Sequence, residues 1–142
     1  MSADNVQCLA PVVRHLRAVW GEGIATSAAD LAHEVDALAA VCKAAGFGRN
    51  VSFASKALNM LGWEAPLYSS ECLAYLHLPR NAPYARFLSA WTAAFLPKRQ
   101  AYKEAARHQL HAQEGSSLPP ENWFAMRGFD IMLLREGGPM RK

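Results

Sequence analysis

Apolar residues recur along this chain at intervals of three and four, and no stretch alternates with the two-residue period of a strand. Val6, Leu9, Val13, Leu16 and Trp20 predict a first helix over 6–20, which Pro11 either kinks or opens as part of its first turn. Ser27 with Asp30 three residues on is a capping-box-like start for a second helix. Leu31, Val35, Leu38 and Cys42 form its apolar face, and Gly46 is its stop. Ser52 is the predicted cap of a third helix that runs to Leu61 and closes at Gly62. Ser69 or Ser70 is the predicted cap of a fourth, ending before Pro79. Asn81 and Pro83 open a fifth, with Tyr84, Phe87, Leu88, Trp91 and Phe95 inward. Pro97 interrupts the chain, and a mostly polar sixth helix follows from about Lys98 to Gln113. After a loop at 115–120 comes a last helix carrying Trp123, Phe124, Met126, Phe129, Ile131, Leu133 and Leu134. It is apolar nearly all round, which predicts a central position, and Gly137 and Gly138 end it. The pattern predicts an all-α fold of six to seven helices.

Composition adds bounds to this picture. A chain of 142 residues, 51% hydrophobic and 19% charged, suits a single globular domain over 1–142 with loose tails at 1–5 and 137–142. No apolar run reaches the roughly 20 residues of a membrane span, and the N-terminus lacks the basic and apolar regions of a signal peptide. Cys8, Cys42 and Cys72 are too widely spaced for a zinc or redox motif and suit small buried hydrophobes in a reducing compartment. A cytoplasmic protein without membrane association is expected.

Charge changes the picture locally. The net value of +3 is small, but Lys98, Arg99, Lys103 and Arg107 gather on the sixth helix, the last three spaced by four. Such a stripe is either a solvated face or a set of phosphate contacts for DNA or another nucleic acid. Glu104, His108 and His111 lie close together but find no further ligand nearby, so no metal is expected. Neither a glycine-rich phosphate loop nor a nucleotide fingerprint is present, so no cofactor is expected.

The segment Val51-Ser-Phe-Ala-Ser-Lys56-Ala-Leu-Asn-Met-Leu61 places an ammonium in an apolar helix. Its spacing puts Phe53, Ala57 and Leu61 on the inner face and Lys56 at the border, where Lys56 either reaches water or edges a cleft. A partly desolvated lysine is a usable amine nucleophile, and the loop that follows returns Trp63, Tyr68 and Ser69 toward it as candidate substrate-binding groups. Arg127 and Asp130, three apart on the last helix, predict either an ion pair or an acid facing the same cleft.

These pieces carry a resemblance. Phe53-Ala-Ser-Lys56-Ala-Leu58, the run Pro66-Leu-Tyr68-Ser69-Ser70, and Arg127-Gly-Phe-Asp130-Ile-Met-Leu133 resemble motifs of the helix-hairpin-helix DNA glycosylases. More closely they resemble small bacterial proteins with an 8-oxoguanine DNA glycosylase-type fold. The resemblance implies that scaffold, a DNA partner, and Lys56 in the position of the Schiff-base lysine, with an aspartate assisting. This chain has Ser52 and Ala54 where the glycosylase hairpin has glycines, Ser69 where the assisting aspartate falls, and Asn59 where the relatives have histidine. Two expectations therefore stand. One is nucleic-acid binding, with base removal by Lys56 and Asp130 and with Arg127 on the substrate. The other is a non-catalytic interaction protein on the same scaffold, whose protein partner would be a toxin or defence component.

Overall fold

A computed structural model describes residues 9–21, 28–110 and 121–137. Among them it contains seven α-helices, one 3-10 turn and no strand, in agreement with the all-α prediction. None of these helices is long and apolar enough to cross a membrane. The chain divides into two compact units, 1–65 and 66–142, within the span that composition assigns to one domain.

The first unit holds α1 (Ala10–Gly21), α2 (Ala28–Ala44) and α3 (Val51–Met60), with α2 packed against both of its neighbours. Pro11 falls in the first turn of α1, where a missing N–H costs nothing. The inward face of α1 is set one residue away from the predicted one. Val12 and Val19 are buried and Val13 is exposed. On α2 the predicted face is the observed one, with Leu31, Val35, Leu38 and Cys42 all buried. Its Ser27 cap, like Cys8 and Val6, lies outside the described residues.

Two glycines close helices in the same way. Gly46 adopts φ +93°, with Gly46 N–H donating to Lys43 O and Phe47 N–H to Cys42 O. Gly62 adopts φ +94°, with Gly62 N–H donating to Asn59 O and Trp63 N–H to Leu58 O. Both are Schellman closures, whose left-handed residue is glycine because a Cβ is disfavoured there.

The second unit holds α4 (Ser70–Tyr75), α5 (Tyr84–Phe95), a 3-10 turn (Leu96–Lys98), α6 (Arg99–Leu110) and α7 (Glu121–Glu136). Pro97 sits in the 3-10 turn, so the predicted break separates α5 from α6. The remainder of α6 toward Gln113, and the 115–120 loop, lie outside the described residues. Both α4 and α6 pack on α7. All five residues predicted to face inward from α5 are buried. Phe129 of α7 anchors the core, with ring centroids 5.1 Å from Trp91, 5.3 Å from Phe95 and 5.8 Å from Tyr102.

The all-round burial predicted for α7 is not observed. Ala125, Met126, Phe129, Asp130 and Leu133 are buried, but Ile131 is 65% exposed and Leu134 37%. As predicted, Gly137 follows the end of α7. Its N–H donates to Leu133 O, and a Cβ at this position would run into the Glu71 carbonyl.

The closure of α4 repeats the Schellman pattern without a glycine. His77 has φ 56°, its N–H donates to Ala74 O, and Leu78 N–H donates to Leu73 O. A side chain in this region costs about 1–2 kcal/mol, partly offset by the greater chain entropy of glycine in the unfolded state. His77→Gly should therefore stabilise the protein by about 0.5–1 kcal/mol, read as a higher urea midpoint at unchanged slope. An unchanged or lower midpoint would contradict the strain assigned to this residue.

Candidate functional site

In the first unit, Lys56 lies on the outer face of α3. The helix starts two residues earlier than predicted, because Asn50, not Ser52, is the cap and its Oδ1 accepts Phe53 N–H at 2.9 Å. Its buried face is Ala54, Ser55, Leu58 and Asn59, whereas Phe53 is 40% exposed and Met60 86%. The predicted face is displaced because two polar residues are satisfied locally. Ser55 Oγ donates to Ser52 O at 3.0 Å, and Asn59 Nδ2 donates to Ala65 O at 3.3 Å. Lys56 consequently stands among the exposed residues rather than at the edge of the core, and among the described residues it has no ion pair.

Trp63 is buried at 5% exposure, held by its N–H bond to Leu58 O beyond the closing Gly62. It serves the core of the first unit and offers no open ring face to a substrate. Asn59, at the position where the resembling proteins carry histidine, ties the loop at Ala65 to α3.

In the second unit the remaining predicted residues come together around a buried carboxylate. Asp130 has 0% exposure. Its Oδ1 accepts Trp91 Nε1–H at 2.9 Å and Leu67 N–H at 3.3 Å. Its Oδ2 lies 2.7 Å from Arg127 Nη1, one turn earlier on the same helix. The guanidinium is itself largely buried, with its Cζ 5.7 Å from the centroid of Trp123. The ion-pair alternative for Arg127 and Asp130 is the one observed.

Tyr68 and Ser69 serve the same framework. Tyr68 Oη donates to Ala82 O at 2.7 Å, and its ring meets Phe87 edge-on at 5.2 Å. Tyr84 Oη donates to Pro66 O at 2.8 Å. Ser69 Oγ accepts Cys72 N–H at 3.2 Å, so the residue in the expected aspartate position is the N-cap of α4. Trp91 and Tyr84 were predicted only as core. Their donor role is implicit in chemistry, since a buried carboxylate needs donors and an indole can only donate.

Burial pushes the Asp130 carboxyl up to about 6, against the opposing pull of Arg127, Trp91 and the Leu67 N–H. Burial also lowers Arg127, a shift that Asp130 partly offsets. The Tyr84 hydroxyl is raised, chiefly by burial and then by Asp130. The Cys72 thiol is raised to about 11, chiefly by burial, which makes it a poor nucleophile.

The third group of predicted residues lies on the outside of the second unit. Lys98, Arg99 and Arg107 are exposed and Lys103 is half-buried. Glu104 accepts Gln100 Nε2–H at 3.2 Å along the same helix. Tyr102 points the other way, onto Phe129.

No family model, no curated protein and no solved structure matches this chain.

The carboxyl of Asp130 titrates higher in the folded protein than its ordinary 3.8, so the folded state binds the proton more tightly than the unfolded state. Its contribution is fully present below about pH 4 and is lost as pH rises through about 6. Wild type should therefore lose roughly 2 kcal/mol relative to Asp130→Asn between pH 4 and 7, measured by urea unfolding. A wild-type advantage that instead grows with pH would mean that Arg127 outweighs burial.

Proposed function

We propose that this chain is a nucleic-acid-binding helical domain whose contact face is the outer side of α6. The observation that carries this reading is the localisation of charge. Residues 96–110 hold four of the fifteen Lys and Arg but one of the twelve Asp and Glu, leaving eleven against eleven elsewhere. The whole net charge of +3 therefore belongs to one helix and the turn before it. A stripe of this kind attracts phosphates by charge and counterion release.

The domain on this reading has a scaffold like that of the helix-hairpin-helix DNA glycosylases and does not excise bases. Ser69 is occupied as a helix cap, and Asp130 is enclosed by its own donors. Neither is available as the acid that a lysine nucleophile requires, and Lys56 is exposed. Such a domain is compatible with a protein partner in a defence setting, but the basic face assigns its first contact to nucleic acid.

Binding of a labelled DNA, followed by fluorescence anisotropy at low salt, should weaken at least about tenfold in the triple variant Arg99→Ala, Lys103→Ala, Arg107→Ala. Unchanged affinity would remove α6 as the contact face. Borohydride treatment of mixtures with damaged or abasic DNA should trap no Lys56-dependent adduct. An adduct lost in Lys56→Gln would restore the catalytic reading.

A further inference from the structure

We infer that the α6 face takes one particular class of nucleic acid: the phosphate backbone of a duplex, gripped without regard to base sequence. This rests on the nucleic-acid reading above and specifies its ligand. Arg99, Lys103 and Arg107 are spaced by four, so each step rises about 6 Å and the three span about 12 Å. A duplex strand advances about 3.4 Å along its axis per phosphate, so a line of this length passes three or four of them. Lys98, in the 3-10 turn just before α6, adds a further exposed cation next to Arg99.

The other side chains of α6 decide what else the helix can do. Ala101 and Ala105, exposed on the opposite side of the helix from the stripe, present only methyl groups. The Gln100 amide donates to Glu104. Tyr102 is the aromatic residue within the described part of α6, and its ring is committed to the core. It lies edge-on to Phe129 at 5.8 Å and over Gly128, where an added Cβ would stand 3.1 Å from Tyr102 Cδ1. Proteins that hold single strands stack bases on aromatic side chains, and among the described residues of α6 the stripe carries none. Reading of adenine or cytosine edges draws on Asn, Gln, Asp or Glu, and Gln100 and Glu104 hold each other. Arginine reads guanine edges, so the duplexes of the test include A·T-only and G·C-rich sequences. Long cations one turn apart remain, which suits backbone contact.

The test is an anisotropy titration of the full chain against duplexes of about 20 base pairs in several unrelated sequences, the matched single strands, and polyglutamate, over a range of salt. Duplex affinities should agree within about threefold, single strands should bind at least about tenfold more weakly, and log affinity should fall with log salt at a slope of about −3 to −4. The triple variant should bring that slope to about −1. Lys98→Gln, a single exposed change, should lower its magnitude by about 0.9 and guards against misfolding of the triple variant. Tighter binding of single strands, or a sequence preference above about tenfold, would overturn the duplex-backbone assignment and leave nucleic-acid binding standing. No retention of any nucleic acid at about 50 mM salt would overturn both. Polyglutamate bound as tightly as duplex would reassign the stripe to an acidic protein.

Discussion

A carboxylate with no exposure to water governs the second unit. Asp130 is held by the Trp91 indole, the Leu67 amide and the Arg127 guanidinium, which belong to α5, to the segment ahead of α4, and to α7 itself. A buried charge is tolerated only when such partners are in place, so the three segments are constrained by one residue. Tyr84 adds a second fastening, from α5 to Pro66 O. Apolar packing around Phe129 supplies the bulk of the attraction in this unit, and the carboxylate supplies direction, since it is satisfied in one arrangement of its donors.

The elements that were legible in the sequence are those whose apolar residues alone decide the buried face. The inward side of α5 and that of α2 could be read directly, because Trp91, Phe87, Val35 and Leu38 have no competing local demand. On α3 the same rule fails. Ser55 and Asn59 satisfy themselves by local hydrogen bonds and enter the interior, and Phe53 is turned outward. A buried polar residue with a partner one turn back or six residues on leaves no mark in a hydrophobicity pattern. The one-residue offset in α1 has a simpler source. Val12 and Val13 are adjacent and equally apolar, so periodicity does not choose between them.

The candidate site divides along the same line. Lys56 was conspicuous because a charge interrupts an apolar run, yet its surroundings come from the rotation of α3, which the run itself misrepresents. The pairing of Arg127 with Asp130 was open to reading from their spacing, whereas the donors from α5 and from Leu67 stand 39 and 63 residues away and require the fold. The basic stripe needed only helical geometry. The commitment of Tyr102 to Phe129, which removes the aromatic from that face, is a tertiary fact.

The close approach at Gly137 has a consequence for the carboxylate seven residues before it. Two turns of helix separate them, so they share one side of α7 about 10 Å apart along its axis. The Glu71 carbonyl leaves room at that point for a residue without a Cβ. A slide of α7 that brought Glu136 to this point would drive its Cβ into the Glu71 carbonyl. Gly137 therefore acts as a stop in that direction: it limits how far α7 can shift along α4, and with that the height at which Asp130 meets the Trp91 indole and the Leu67 amide.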